Sequence, residues 1–126
     1  MTHFFRYQFP AIAWGILIFL ASSVPSAKIP TLFLLSFDKI IHVTIFFIFC
    51  ILVYRALEPQ SHYPLFTFKR IFISIGLIVL YGTIDEFHQG TVPGRTFDLW
   101  DLCADATGGF LGGLIIYLFF RKKIHA

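Results

Sequence analysis

The amino-acid sequence predicts an all-α fold, a polytopic transmembrane bundle of four helices with both termini cytoplasmic. Composition is the first observation behind this: of 126 residues, 57% are apolar and only 13% are Asp, Glu, Lys or Arg. That is about half the charged share of a soluble domain, which is roughly 25%. The second is the presence of four apolar runs bounded by charge, Pro or Gly, each close to the ~20 residues that cross a hydrocarbon core of ~30 Å. The third is an uneven division of cations between the ends of those runs. Length leaves room for a single domain, residues 1–126, and little for a soluble one beside it. The same composition argues against a disordered chain and against a nucleic-acid partner, because the net charge of +3 comes from scattered cations.

The first span runs from about Phe9 to Val24. Arg6 ahead of it and Ala21-Ser22-Ser23 at its end also resemble a cleavable signal, the alternative to a retained helix. The stretch Ile29 to Phe37 is too short to cross and too apolar for an ordinary loop, so it is expected at the membrane surface. The second span covers Asp38 to Leu57, the third Lys69 to Gln89 and the fourth Asp98 to Phe120. In the fourth, Gly108 with Gly112 and Gly109 with Gly113 have the small-xxx-small spacing that lets helix backbones approach, here expected within the bundle. Cys50 and Cys103 sit in apolar runs and read as small buried hydrophobes. Trp14, Trp100 and some tyrosines are expected near the interfaces.

Orientation follows from the cations, which are retained on the cytoplasmic side. Arg6, Arg55, Lys69, Arg70, Arg121, Lys122 and Lys123 fall at one end of the spans, and Lys28, Lys39 and Arg95 at the other. The acids divide in the opposite sense: Asp38, Asp85, Glu86, Asp98, Asp101 and Asp105 lie toward the non-cytoplasmic end, leaving Glu58 inside.

That outer end is where chemistry is expected. Asp38 and His42 stand four residues apart on span two. Asp85, His88 and Gln89 follow steps of three and four on span three, with Glu86 beside them, and Asp98, Asp101, Asp105, Gly108 and Gly112 form one stripe on span four. Carboxylates on lipid would be costly, so this stripe must face protein. Each residue also has a plainer role open to it. Asp98 at a helix start is expected foremost as an N-cap, while Asp105, about 10 Å further along the axis, is where an acid is rare and usually paired. Asp85 and Glu86 near a helix C-terminus need compensation. Arg95 offers either an ion pair with Asp85 or an anion-binding cation, with Lys39 or a metal as rival compensators. Ser22 and Ser23 would satisfy carbonyls at the end of span one. His42 is open to a plain pairing with Asp38 or to acid–base work.

Several enzyme signatures are absent: HExxH, Gly-x-Ser-x-Gly, a phosphate-binding loop, and the Gly and Ala-Arg that follow Asp-x-x-Asp in lipid phosphotransferases. What the residues permit is an oxygen-rich site for a divalent cation, Mg²⁺ or Ca²⁺, with Asp85, Glu86, Asp101 and Asp105 as candidate ligands. A zinc site using His42 and His88 with a nearby Asp is the less favoured form.

The pattern resembles the VanZ-like membrane proteins of bacteria. The matching motifs are Ser22-Ser23-x-Pro25, Asp38-Lys39-x-x-His42, Tyr81-Gly82-x-x-Asp85-Glu86-x-His88-Gln89, Val92-Pro93-Gly94-Arg95 and Asp98-x-x-Asp101-x-x-Ala104-Asp105-x-x-Gly108, in order over nearly the whole chain. Family sequences often carry Asn where Asp105 stands, which leaves hydrogen bonding as the role common to both. The resemblance implies a four-helix protein of the bacterial cytoplasmic membrane and an association with low-level teicoplanin resistance, with no settled biochemical activity.

These readings converge on an outward-facing polar pocket that binds an envelope lipid, a lipid-linked cell-wall precursor or a lipid-bearing glycopeptide. Its candidate ligand-binding residues are Asp38, Lys39, His42, Asp85, Glu86, His88, Gln89, Arg95, Asp101 and Asp105. The first alternative is a metal-assisted enzyme acting on a lipid phosphate, with His42 or His88 moving a proton. The second is a small transporter assembled as a dimer, and the oligomeric state is left open. Membrane lipids are the expected surroundings under every reading.

Overall fold

The computed structural model describes residues 3–29, 37–57 and 64–124, and all regular structure in them is helical. A π-helical turn, Phe4–Gln8, runs into α1, Phe9–Ser22. After a short 3₁₀ turn at Ser26–Lys28 come α2, Asp38–Ala56, α3, Pro64–Gln89, and α4, Leu99–Ile124. Four stretches are long and apolar enough to cross a membrane: Phe4–Ser22, Asp38–Ala56, Thr67–Gln89 and Leu99–Lys122. Most of the segment expected at the membrane surface lies outside the described residues, as does Glu58.

The spans stand where the apolar runs place them, but three helical boundaries differ by more than two residues. Helical structure begins at Phe4 rather than Phe9, α3 begins at Pro64 rather than Lys69, and α4 continues past Phe120 to Ile124. In each case a cation closes the apolar run without closing the helix, because long Lys and Arg stems carry their charge toward water while the backbone stays hydrogen-bonded. Pro64 begins α3 at a position where a missing N–H costs nothing. Arg70 is buried; its Nη2 donates to the Tyr54 carbonyl at 2.7 Å and its guanidinium lies 4.1 Å from the Tyr54 ring centre. This pins the start of α3 to the end of α2.

Ile18, Phe46, Phe49, Cys50 and Ile78 form the core, with Trp14, Ile45 and Tyr81 packed against it. Tyr81 meets Phe49 edge-on at 5.0 Å and donates to the Gly15 carbonyl at 2.6 Å, and Trp14 Nε1 donates to the Ile45 carbonyl at 3.1 Å. Both are polar handles that would otherwise be unsatisfied inside an apolar bundle. Trp14 is thus a mid-span tie between α1 and α2 and not an interfacial residue, whereas Trp100 is exposed at the start of α4. Cys50 is fully buried as expected; Cys103 is exposed, on the outer surface of α4.

α4 lies against both α2 and α3, and its glycines set the spacing. Gly108 presses on the α2 backbone at Val43 and Phe47, and Gly112 on Phe47 and Cys50, while Gly109 and Gly113 receive Ile78 and Ile75 of α3. Both small-residue pairs are therefore occupied inside the bundle, as anticipated. The connection from α3 to α4 reverses at Val92–Arg95: the Arg95 N–H donates to the Val92 carbonyl at 3.0 Å, and Gly94 has φ +75°. Pro then Gly at the two central positions is the type II turn pattern, which needs a positive φ at the second. Ser26 N–H donates to the Pro93 carbonyl at 3.4 Å, so this turn docks on the chain leaving α1.

Candidate functional site

Every polar motif residue converges on the end of the bundle where α1 and α3 finish and α2 and α4 begin. Helix periodicity accounts for the convergence: Asp38 and His42 are one turn apart on α2, Asp101 and Asp105 one turn apart on α4, and Asp85, Glu86 and Gln89 span the last turn of α3. The site then divides into two halves.

The first half joins α2 to α4. Lys39 Nζ pairs with Asp98 Oδ2 at 2.6 Å, closely with Asp101 Oδ1, and at 3.4 Å with Asp38 Oδ2. His42 bridges deeper in: Nδ1 is 2.8 Å from Asp105 Oδ1, while Nε2 is 3.7 Å from Asp38 Oδ1 and 3.9 Å from Asp101 Oδ1. Its main partner is thus Asp105, not the Asp38 that its spacing suggested. Asp98 is the N-cap of α4, accepting the Trp100 N–H at 2.8 Å, and its own N–H donates to Glu86 Oε2 at 3.0 Å. Lys39 and that capping N–H hold the Asp98 carboxyl below the usual carboxylate range. Glu86 and Asp105 are both 0% exposed, and each keeps one carboxylate oxygen, Glu86 Oε1 and Asp105 Oδ2, without a hydrogen-bond partner among the described residues.

The second half joins α1 to α3. Ser22 Oγ lies 2.7 Å from Asp85 Oδ1 and 2.9 Å from the Phe19 carbonyl, and Gln89 Nε2 donates to Asp85 Oδ2 at 3.0 Å. Ser23 Oγ donates to the same Phe19 carbonyl at 2.7 Å and lies 2.8 Å from His88 Nε2; the His88 ring stacks on Phe19 at 4.5 Å. Ser23 therefore satisfies a helix-end carbonyl, as expected, whereas the single Ser22 hydroxyl proton goes to the nearer acceptor, Asp85, and both serines tie α1 to α3. Asp85 is compensated by a hydroxyl and an amide and makes no ion pair with Arg95. The Arg95 guanidinium instead reaches back to the Ser22 carbonyl, with Nη1 at 3.5 Å, and has no carboxylate partner among the described residues.

Between the halves is a cavity of about 330 Å³. Its walls are the aliphatic side chains of Ile18, Ala21 and Val24 on one side and Ile41 and Ile45 on the other; Asp38, His42, Asp85 and Gln89 line its polar part, and Lys28 and Arg95 border it. Of the candidate binding residues, Asp38, His42, Asp85, Gln89 and Arg95 line this cavity; Lys39, Glu86, His88, Asp101 and Asp105 do not. Lys28, valued in the sequence only for orientation, joins the cavity, and Gly82, present in the sequence only as part of the Tyr81-Gly82 motif, has a steric role of its own. A Cβ at Gly82 would lie 3.0 Å from Asp105 Oδ2 and 3.1 Å from Asp105 Cβ, so its glycine makes room for the buried acid. The stripe Gly82, Asp85, Glu86, Gln89 on α3 was the available signal.

The four proposed metal ligands also separate. Asp85 belongs to the serine-bonded half, while donor atoms of His42, Glu86 and Asp105 lie within 4.8 Å of one another, as do those of Asp38, His42 and Asp101.

A family model described as VanZ/LLP1 matches residues 7–121. The chain belongs to the VanZ/LLP1 family. The match takes in all four spans and both halves of the site, so the family assignment and the multi-pass membrane architecture agree. No curated protein and no solved structure matches the chain.

Proposed function

We propose that this VanZ/LLP1 protein binds the anionic headgroup of an envelope lipid in the cavity between α1 and α2, on the non-cytoplasmic side of the bacterial membrane. The observation that carries the reading is the pairing of an aliphatic wall with a cation that has no carboxylate partner among the described residues: Arg95 borders the cavity while Asp85, which lines it, is satisfied by Ser22 and Gln89. A guanidinium free of carboxylates offers a two-point contact to a phosphate, and Lys28 adds a second positive charge. About 330 Å³ suits a headgroup with the start of its chains and is too small for a whole glycopeptide. A lipid-bearing glycopeptide or a lipid-linked wall precursor would enter through its lipid end, and low-level teicoplanin-type resistance would then follow from competition for that cavity. The orientation rests on the cations, which crowd the opposite end at Arg6, Arg55, Lys69, Arg70, Arg121 and Lys122.

Native mass spectrometry from nanodiscs containing phosphatidylglycerol and phosphatidylcholine tests this. Wild type should retain the anionic lipid in preference to the zwitterionic one, and Arg95→Ala should lose most of that preference while remaining folded. Equal retention of both lipids, or an unchanged preference in Arg95→Ala, would reject the assignment.

A further inference from the structure

We propose that His42, Glu86 and Asp105 form a site for one divalent transition-metal ion, with zinc the ion that suits the donors best. This goes beyond the lipid-binding reading and rests on different residues apart from His42, which the cavity shares.

The argument begins with charge. Asp38, Glu86, Asp98, Asp101 and Asp105 surround the first half of the site, and among the described residues Lys39 and His42 are the only cationic groups within ion-pair distance of any of them. One ammonium and one imidazole do not balance five carboxylates at the end of an apolar bundle, where uncompensated charge is expensive. The deficit is greatest at Glu86 and Asp105. Lys39 serves Asp38, Asp98 and Asp101, whose environment is more open, but it reaches neither of the two fully buried acids.

The second, independent observation is the pair of orphaned oxygens. Glu86 Oε1 and Asp105 Oδ2 are buried without a hydrogen-bond partner among the described residues. Buried carboxylate oxygens left this way signal a missing proton, water or cation. Gly82 keeps the space beside Asp105 Oδ2 clear, since even a methyl group there would lie 3.0 Å from it.

Geometry selects the ion. Donor atoms of the three residues lie within 4.8 Å of one another. A tetrahedral metal with bonds of ~2.1 Å holds its donors ~3.4 Å apart, a closure that side-chain rotation supplies. His42 Nδ1 already stands 2.8 Å from Asp105 Oδ1, so the ring presents that nitrogen to the buried acid of α4. Nε2 points the other way, toward Asp38 at 3.7 Å and Asp101 at 3.9 Å. A metal-bound imidazole whose second N–H faces a carboxylate is the arrangement that fixes a histidine ligand. One imidazole with two carboxylates favours zinc over Mg²⁺ or Ca²⁺, which prefer oxygen alone. The other grouping, Asp38, His42 and Asp101, is a weaker host because the Lys39 ammonium already occupies its carboxylates.

Untagged protein, stripped with a chelator and reloaded with Zn²⁺, tests the proposal by elemental analysis and X-ray absorption. The expected result is about one zinc per chain, with nitrogen and oxygen neighbours alone at ~2.0–2.1 Å. His42→Ala and Glu86→Gln should each weaken retention at least tenfold, and Cys103→Ser should leave it unchanged. Wild type that takes up no stoichiometric Zn²⁺ would overturn the site and assign protons to the orphaned oxygens. Sulfur in the coordination shell, or full retention in the His42→Ala/Glu86→Gln double variant, would overturn it equally. Should the variants fail to fold, the absorption spectrum of wild type alone decides, through the presence or absence of an imidazole shell. Lipid preference in the Arg95→Ala protein is read separately, so failure of either proposal leaves the other standing.

Discussion

The spacing between α2 and α4 should control both stability and the site, and Gly108→Ala is the perturbation that isolates it. A Cβ at Gly108 would stand 2.9 Å from the Phe47 backbone nitrogen and 3.1 Å from Phe46 Cβ, and closer still to the Val43 carbonyl oxygen. Unstrained contacts of this kind lie near ~3.5 Å. The obstacle is mostly backbone, so no rotamer change relieves it, and the two helices must part by roughly 0.5–1 Å. A gap of that size forfeits about a quarter to a half of each dispersion contact along the interface, and overpacking of a close-fitted core costs about 1–3 kcal/mol. Gly76→Ala provides the control. Nothing lies within 4 Å of a Cβ there, so the substitution should be neutral or gain about 0.5–1 kcal/mol from helix propensity. The propensity gain is common to both mid-helix positions, so the two alanine variants should differ by the overpacking cost, about 1–3 kcal/mol, in reversible unfolding measured in the same detergent. The Gly108 variant should also lose the His42 to Asp105 contact, now 2.8 Å, which NMR of the His42 ring reports directly. Equal stability of the two variants would refute the reasoning, because it would mean that α2 and α4 are not in backbone contact at Gly108.

Three further outcomes follow from the same geometry. Ser22→Ala strips Asp85 Oδ1 of its hydroxyl in a buried setting and should destabilise by about 1–3 kcal/mol, while Ser23→Ala, at a more open position, should cost less; comparable losses on denaturation would speak against the Ser22–Asp85 tie. Asp98 has a folded pKa below its unfolded value of ~3.9, so its contribution is present above that value and lost as pH falls through the lower folded pKa; Asp98→Asn should flatten stability below pH ~4, and an unchanged acid limb would contradict the Lys39 pairing. Reporter fusions at either terminus should both read cytoplasmic, and a split result would overturn the orientation drawn from the cations.

The sequence revealed the four spans because apolar length is a direct reading of bilayer thickness, and it revealed the stripe Asp98, Asp101, Asp105 because helical spacing puts them on one face. It placed Asp98 as an N-cap for the same reason: the residue sits where an apolar helix starts. Pairing between helices was less legible. His42 is four residues from Asp38 and 63 from Asp105, yet the long-range partner is nearer, since the relative height of α2 and α4 depends on Gly108 and Gly112 pressing on the α2 backbone. Trp14 illustrates the same limit. Its amphipathic ring suits an interface in any sequence reading, and the free carbonyl lobe at Ile45 that holds it mid-span is visible only once α1 and α2 are packed. Lys28 reads as a loop charge in the sequence, and docking of the chain leaving α1 on the Val92–Arg95 turn is what brings it to the cavity.

The fate of Arg95 links these points to function. Asp85 at a helix C-terminus calls for compensation, and an arginine ten residues on, beyond a Pro-Gly turn, is the obvious source. The Val92–Arg95 turn instead directs the guanidinium to the carbonyl of Ser22 and the border of the cavity, while Ser22 and Gln89 supply Asp85 with neutral donors. Neutral donors hold a carboxylate in place without cancelling its charge, and they leave the arginine's charge uncancelled too. The result is a cavity with separated opposite charges, Asp85 within and Arg95 at its border. An ion pair would have stabilised the empty protein; under the proposed lipid-binding function, keeping the two apart holds a cation ready for an anionic headgroup. Arg95→Lys is the informative substitution. It preserves the charge and loses the fork, so a retained preference for phosphatidylglycerol would point to simple attraction at the membrane surface. A loss as large as that of Arg95→Ala would point to two-point recognition of the phosphate.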